Sequence, residues 1–220
     1  MMRCARVATL WLVVILCAGA ASAQTPPPSA GPESPFYGEL DLGATLGHKS
    51  DASFGGEVGV RVAEGFDVFV EGGRMGNVGT SDLDARATSI ANALGGTAST
   101  AYKVNYFDAG VRYSFVLVSR PKIHPYVAAG FGLAQVTAET VLTVNGATVG
   151  PDQVTFGTDL NGTTRKGFLM IGFGGTMTFG TRYFGDLSYR YGRISPKTDE
   201  IPNDTAINTQ RLQIGIGMRF

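Results

Sequence analysis

The stretch Gln210–Phe220 constrains this chain more than any other. Leu212, Ile214, Ile216, Met218 and Phe220 make one unbroken apolar row, and Arg211, Gln213, Gly215, Gly217 and Arg219 alternate with them. Successive side chains of a strand point to opposite faces, so this is a strand with one apolar and one polar side. The sequence then closes on Phe220. A transmembrane barrel completes its sheet with a last strand and sets an aromatic residue at the membrane boundary. The expectation is an all-β fold, an eight-stranded antiparallel up-and-down transmembrane β-barrel with a cleaved N-terminal signal peptide.

The N-terminus points to the same compartment. Arg3 and Arg6 precede a short apolar run from Val7 to Ala18, and Ala21-Ser22-Ala23 is a small-residue cleavage site. Residues 1–23 therefore read as an export signal, with cleavage between Ala23 and Gln24. The run is shorter than the ~20 residues a membrane-spanning helix needs. Cys4, Cys17 and the single tryptophan, Trp11, fall in that segment, so the mature chain is expected to carry no thiol and no disulfide. Removing Arg3 and Arg6 from a chain of zero net charge leaves it slightly acidic. No basic cluster suggests nucleic acid.

Residues 24–35, rich in proline and small side chains, read as a periplasmic lead-in, and residues 36–220 as the barrel domain. Alternation and turn signals mark eight strands, near 36–46, 53–63, 66–75, 102–118, 123–137, 165–179 and 182–194, with the last ending at Phe220. Ser81 to Leu94 reads as a short helix with Ser81 as its cap and Leu83, Ile90 and Leu94 as its apolar face. The connections after strands two, four and six are tight, while 76–101 and 138–164 read as two large loops. Outer-membrane barrels have short periplasmic turns and longer extracellular loops, and an even strand count reproduces this arrangement.

Alternation alone does not say which row faces inward, since a soluble ligand-binding barrel has the inverse pattern. Three features select the membrane orientation. The apolar rows match the ~9–11 residues a tilted strand needs to cross. Aromatic residues stand near strand ends (Phe36, Phe66, Phe115, Phe179, Tyr183, Phe220). The charges are few and lie mostly on the opposite row. The interior is then expected to hold a salt-bridge network built from Glu57, Arg61, Glu71, Asp108, Arg112, Asp186, Arg190 and Arg211. Glu39, Asp41, Asp67 and Arg219 are within the same row. Buried charge is costly unless paired, and eight strands leave an interior that side chains can fill.

Asp186-Leu187-Ser188-Tyr189-Arg190-Tyr191 and the ending Gly215–Phe220 resemble the penultimate and last strands of the small eight-stranded outer-membrane barrel family, which includes the OmpA transmembrane domain, OmpX and OmpW-like proteins. The resemblance implies a resident of the outer membrane of a Gram-negative-type bacterium. It also implies that Phe220 acts as the assembly signal read by the barrel assembly machinery. No peptidoglycan-binding segment follows Phe220, so cell-wall anchoring is not expected.

The candidates for chemistry are sparse. His48-Lys49-Ser50-Asp51 gathers a histidine, a serine and an acid, superficially like the His-x-Ser pair of lipid A deacylases, but such a composition is also ordinary for a hairpin loop. His124 stands apart, and two isolated histidines do not make a metal site. The expectation is no catalytic residue, no metal and no cofactor. The partners expected are outer-membrane lipids, lipopolysaccharide and the assembly machinery, with a further ligand at the loops 76–101 and 138–164. The protein is expected to be monomeric, with a structural or surface-interaction role. A narrow channel for small solutes and a lipid-modifying enzyme stand as the alternatives.

Overall fold

The structure, a computed structural model, describes residues 35–117, 119–120, 122–149, 157, 160–197 and 204–220. The export signal at Ala21, Ala23 and Gln24 and nearly all of the lead-in lie outside the described residues.

Among the described residues the chain forms nine strands and one helix. They are β1 (Phe36–Leu46), β2 (Asp51–Ala63), β3 (Phe66–Met75), α1 (Ser81–Ala93), β4 (Gly96–Ser114), β5 (Ile123–Val144), β6 (Ala147–Val149), β7 (Gly162–Phe179), β8 (Tyr183–Ile194) and β9 (Ile207–Arg219). All pairings are antiparallel. The sheet runs β4-β3-β2-β1-β9-β8-β7-β5, and β4 pairs with β5 to close the ring, with β6 a short appendage on β5. The first and last strands meet in register from Tyr37 opposite Arg219 to Leu46 opposite Gln210. At the base, the Phe220 amide donates to the Phe36 carbonyl (3.0 Å). Closure of this kind pairs the edges that an open sheet would expose, the condition for backbone to cross hydrocarbon.

The faces divide as the alternation requires. Leu40, Leu42, Phe107, Phe131, Ile171, Leu187, Ile214 and Ile216 point outward, with Phe131 74% exposed. Glu39, Asp41, Glu57, Glu71, Asp108, Arg112, Arg190 and Arg211 point inward and are buried. The arrangement is that of a membrane barrel and not of its soluble inverse. No helix among the described residues is long and apolar enough to cross a membrane.

The two rims are recognisable by their chemistry. Phe36, Phe115, Phe179, Tyr183 and Phe220 are exposed around the rim that carries the tight turns and both ends of the ring. Gly65 (φ +70°) and Gly180 (φ +69°) supply the left-handed positions of two of these turns. Toward the other rim the outward row turns polar at a single height. Arg74 pairs across to Asn105, Asn105 to Gln135, and Gln135 to Arg165, on four adjacent strands. An aromatic girdle below and a polar belt above bracket an apolar band, and the tight turns assign the aromatic rim to the periplasm.

Two segments differ from the sequence reading. β4 begins at Gly96 and not at Tyr102, and β5 runs to Val144 and not to Thr137. Gly96–Ala101 pairs with Glu139–Val144 beyond the last rungs to β3 and β7, so this hairpin stands roughly 20 Å proud of its neighbours. Its strands are built mostly of Thr, Ser, Ala and Val, with Gly96, Glu139 and Leu142, and have no continuous apolar row. Outside the bilayer nothing requires such a row, and alternation therefore fails to mark the strand. Cap assignment also shifts by one residue: Thr80, not Ser81, holds the N-cap of α1, accepting from the Leu83 amide.

The outward row gives a direct test. Ile216 lies in the middle of its strand's apolar row and is 65% exposed. Ile216→Arg places a charge on the lipid face and is expected to cost about 2–4 kcal/mol. Denaturant unfolding of the barrel reconstituted in lipid vesicles measures this, with Gln210→Arg near the outer rim expected to cost well under half as much.

Candidate functional site

The barrel interior holds the chain's densest chemistry. Arg112 from β4, Arg190 from β8 and Arg211 from β9 reach toward two glutamates, Glu57 on β2 and Glu71 on β3. Arg112 Nη2 lies 2.7 Å from Glu57 Oε1, and Arg190 Nη2 lies 3.0 Å from Glu57 Oε2. Arg190 Nη1 donates to Glu71 Oε2, and Arg211 Nη1 donates to Glu71 Oε1 at 3.0 Å. Arg190 thus joins the two glutamates into one lattice. Arg190 is 1% exposed and Arg211 fully enclosed. A planar guanidinium offers several donors in a fixed fork, which lets one arginine serve carboxylates on different strands.

Tyrosines complete the lattice. Tyr37 donates to Glu57 Oε1 (2.6 Å), Tyr106 to Glu71 Oε1 (2.7 Å) and Tyr126 to Asp186 Oδ2 (2.7 Å). The Arg112 guanidinium stacks 4.3 Å from the centre of the Tyr126 ring, and that of Arg211 lies 4.3 Å from Tyr106. Each tyrosine therefore gives a hydroxyl to a carboxylate and a ring face to a cation. Tyr106 fits because β3 has a glycine beside it: a Cβ at Gly73 would stand 2.6 Å from its hydroxyl. Phe69 and Phe184 also point inward and are buried.

The residues expected to form the network sort into three groups. Glu57, Glu71, Arg112, Arg190 and Arg211 are joined by the contacts above. Arg61 pairs with Asp67 on the neighbouring strand (3.1 Å). Asp186 is tied to Tyr126, while the buried Asp108 accepts no hydrogen bond from the described residues. The interior aromatics all lie on the inward parity and could have been placed there by alternation. A search for charge passes over them.

Above the charged layers the interior becomes apolar. Met75, Val104, Val136, Ile194 and Ile207 form one cluster with Leu83 and Ala87 of α1. Leu83, Ala87 and Ala91 are four residues apart, lie on one face and are buried, and α1 rests on β4 and β5. Leu94, counted in the sequence reading as part of the apolar face, is exposed. The helix docks through alanines, whose small side chains let it lie close, and they carry little hydrophobic signal. Lys166 from β7 and Asp204 form a further buried pair at this level (2.6 Å).

Polar contacts fasten α1 in place. Asp84 accepts from Lys49 Nζ (2.9 Å) and from Thr100 Oγ1, and lies 2.9 Å from His48 Nε2. Lys49 also donates to the Thr100 carbonyl. Burial alone would raise the Asp84 carboxyl, but these hydrogen bonds and the Lys49 charge outweigh it and hold the group below its ordinary range. Asp51 is likewise held low, by the Asn77 and Ala52 amides. Within His48-Lys49-Ser50-Asp51, His48 thus turns to Asp84 and Asp51 to backbone amides, and no hydrogen bond joins His48 to Ser50 among the described residues.

Comparison with known proteins places this geometry. A family model described as "Outer membrane protein beta-barrel domain" matches residues 12–220. Neisserial surface protein A superposes with a TM-score of 0.52 at 17% identity, covering 84% of this chain and 97% of that one. The N-terminal barrel domain of Pseudomonas aeruginosa OprF gives 0.48 at 15% identity, over 84% and 97%. Ail, the attachment invasion locus protein of Yersinia pestis, gives 0.45 at 15%, over 86% and 98%. No curated protein matches the sequence.

Two outcomes follow from the interior and its mouth. Glu71→Gln leaves Arg190 and Arg211 short of a counter-charge and is expected to destabilise the barrel by about 3–5 kcal/mol in denaturant unfolding. At the mouth, Asp84 is lowered in the folded state, so its contribution is complete above the unfolded value of ~3.9 and is lost as pH falls through the folded one. Hydrogen-exchange protection of the α1 amides is expected to drop below about pH 4 while that of the membrane strands holds, and Asp84→Asn is expected to abolish this dependence.

Proposed function

The chain belongs to the outer membrane protein β-barrel domain family, and from that premise we propose that it acts at the cell surface as a closed barrel displaying the β4–β5 hairpin, rather than as a pore. One observation carries the reading. The cross-section is occupied by the Arg–Glu–Tyr lattice and then by α1, while among the described residues the β4–β5 hairpin, with β6 on its far end, reaches furthest beyond the last rungs to its neighbours. Eight strands leave room for side chains and little else.

The protein resides in the outer membrane of a Gram-negative-type bacterium, its apolar band against lipid. The belt of Arg74, Asn105, Gln135 and Arg165 stands at the height of the outer leaflet's lipopolysaccharide headgroups. The hairpin is the surface offered beyond that height. Its outward face carries Thr97, Ser99, Glu139 and Val141, all exposed, with Lys103 and Glu139 paired across it (2.8 Å). Its other face is covered by α1. Binding tends to reside on segments held out by a rigid scaffold, and this hairpin extends two strands of the scaffold itself. The same reading has residues 1–23 removed on export, Phe220 recognised during assembly, and the barrel resident as a monomer. On this reading the ligand expected at the loops 76–101 and 138–164 meets the hairpin.

Cysteine labelling tests the display. Both native cysteines precede residue 24, so single thiols can be introduced cleanly. A membrane-impermeant maleimide is expected to label Ser99→Cys on intact cells and Gly180→Cys only after the envelope is opened. In planar bilayers the purified protein is expected to give no stable conductance steps. Labelling of Gly180→Cys on intact cells, or steady ion current, would contradict the reading.

A further inference from the structure

The charges of the interior do not balance where they sit. Three arginines, Arg112, Arg190 and Arg211, converge on Glu57 and Glu71. Glu39, Asp41 and Asp186 stand on β1 and β8, with β9 between them, and Glu39 lies directly across from Glu57. The nearest cation to any of the three in an ion pair is Arg112, 3.7 Å from Glu39 Oε2. All three are buried, Asp41 to 1% exposure. Among the described residues no N–H and no hydroxyl donates to either oxygen of Glu39, to either oxygen of Asp41 or to Oδ1 of Asp186, and the Glu39 and Asp41 carboxyls lie against each other. Buried carboxylates that outnumber the cations and donors around them are among the costliest arrangements a fold can hold.

Register explains how the three meet. Asp41 on β1 faces Gly215 on β9, and Gly215 faces Asp186 on β8, so one inward rung reads acid, glycine, acid. Glu39 comes from the rung below, opposite Gly217. Gly215 leaves open the space a side chain would occupy, and the acids lean into it: a Cβ there would stand 2.6 Å from Asp41 Oδ1 and would also collide with Glu39 Oε1. One oxygen from each of the three carboxylates lies within 4.8 Å of the others. Oxygens bound at about 2.4 Å on opposite sides of one calcium ion reach that separation. Ser188 and Gln213 face each other on the next rung toward the mouth, both buried, and the Ser188 hydroxyl and the Gln213 side-chain carbonyl also lack partners among the described residues. The unsatisfied oxygens thus gather on one wall, around one glycine.

We propose that Glu39, Asp41 and Asp186 form a binding site for a single hard divalent cation of calcium size inside the barrel. The ligands are oxygens supplied by two strands, Glu39 and Asp41 from β1 and Asp186 from β8, with neutral oxygens of Ser188 and Gln213 above. Magnesium, smaller and reluctant to shed its water, fits such a site poorly. Below the triad, Tyr37 and Phe184 meet edge to face, 6.1 Å between ring centres, and floor the site toward the periplasm. An ion held there enters as the barrel closes, and it ties β1 to β8 across β9, at the seam where the first and last strands join. This role is independent of whatever the hairpin binds.

The full chain, folded into detergent micelles with calcium chloride or with EDTA and then dialysed exhaustively, provides the test. About one calcium ion per chain is expected to remain in the protein folded with calcium, measured by elemental analysis, and its thermal midpoint is expected to exceed that of the EDTA sample. Magnesium is expected to do neither. Asp41→Asn is expected to lower retained calcium at least tenfold, while Glu139→Gln, which removes an exposed acid, leaves it unchanged. Should Asp41→Asn fail to give the heat-modifiable folded band, Gly215→Ala keeps every carboxylate and fills the space between them, with the same loss expected. Absence of retained calcium and of any midpoint difference in the wild-type protein would overturn the proposal and mean that protons neutralise the triad. Calcium retained equally by wild type and both variants would overturn it as well, by placing the ion elsewhere.

Discussion

Hydrocarbon accepts no hydrogen bond, and the rest of this molecule is arranged around that fact. Each backbone N–H and C=O that crosses the membrane needs a partner within the sheet. The meeting of β1 with β9 supplies the final set, and the Phe220-to-Phe36 bond completes it at the base. Closing the ring has a consequence for side chains. Once the outward row is committed to lipid, strict alternation sends every other residue into a narrow enclosed interior, and that interior has to be made stable with the polar half of the pattern.

The solution is a lattice rather than a set of separate pairs. Glu57 and Glu71 each serve two arginines, Arg190 bridges them, and tyrosines add hydroxyls and ring faces. Replacing a buried ion pair by apolar groups is often neutral for stability, whereas removing one member is costly. A shared lattice raises that cost because each loss strands more than one partner. It also explains the abundance of inward glycine. Rings and guanidinium groups that cross the lumen need a missing side chain opposite, as Tyr106 has at Gly73.

How much of this was legible in the sequence depends on whether the bilayer enforced it. The membrane strands, their inward and outward rows, and the charged residues of the interior could be read from period-two alternation, because lipid punishes any exception. Gly96–Ala101 and Ala138–Val144 could not be read as strands in the same way. They lie above the polar belt, where Thr97 and Ser99 face water as comfortably as Val141, and the alternation dissolves although the pairing continues. The docking of α1 was hidden for a related reason. Ala87 and Ala91 bury completely but are small, so the helix shows its contact face weakly, and the more visible Leu94 is exposed. Which carboxylate meets which arginine was also beyond the sequence. Register fixes neighbours on adjacent strands, but Arg190 and Glu57 meet across the lumen, between strands that do not pair.

The height at which the outward row loses its apolar character divides the molecule into two regimes of constraint. Below Arg74, Asn105, Gln135 and Arg165, position along a strand determines chemistry, and a substitution is judged by the face it occupies. Above that belt, the same two strands continue with no lipid on one side and a helix on the other. There, Asp84, Lys49, His48 and Thr100 hold α1 by exposed or half-buried contacts that solvent can compete with. Contacts of that kind open more readily than the lattice beneath them. The rigid part of the barrel is therefore the part that faces lipid, and the adjustable part is the part that faces the medium. The proposed surface role uses that division, since the scaffold stays closed while the segment it carries remains free to meet something else.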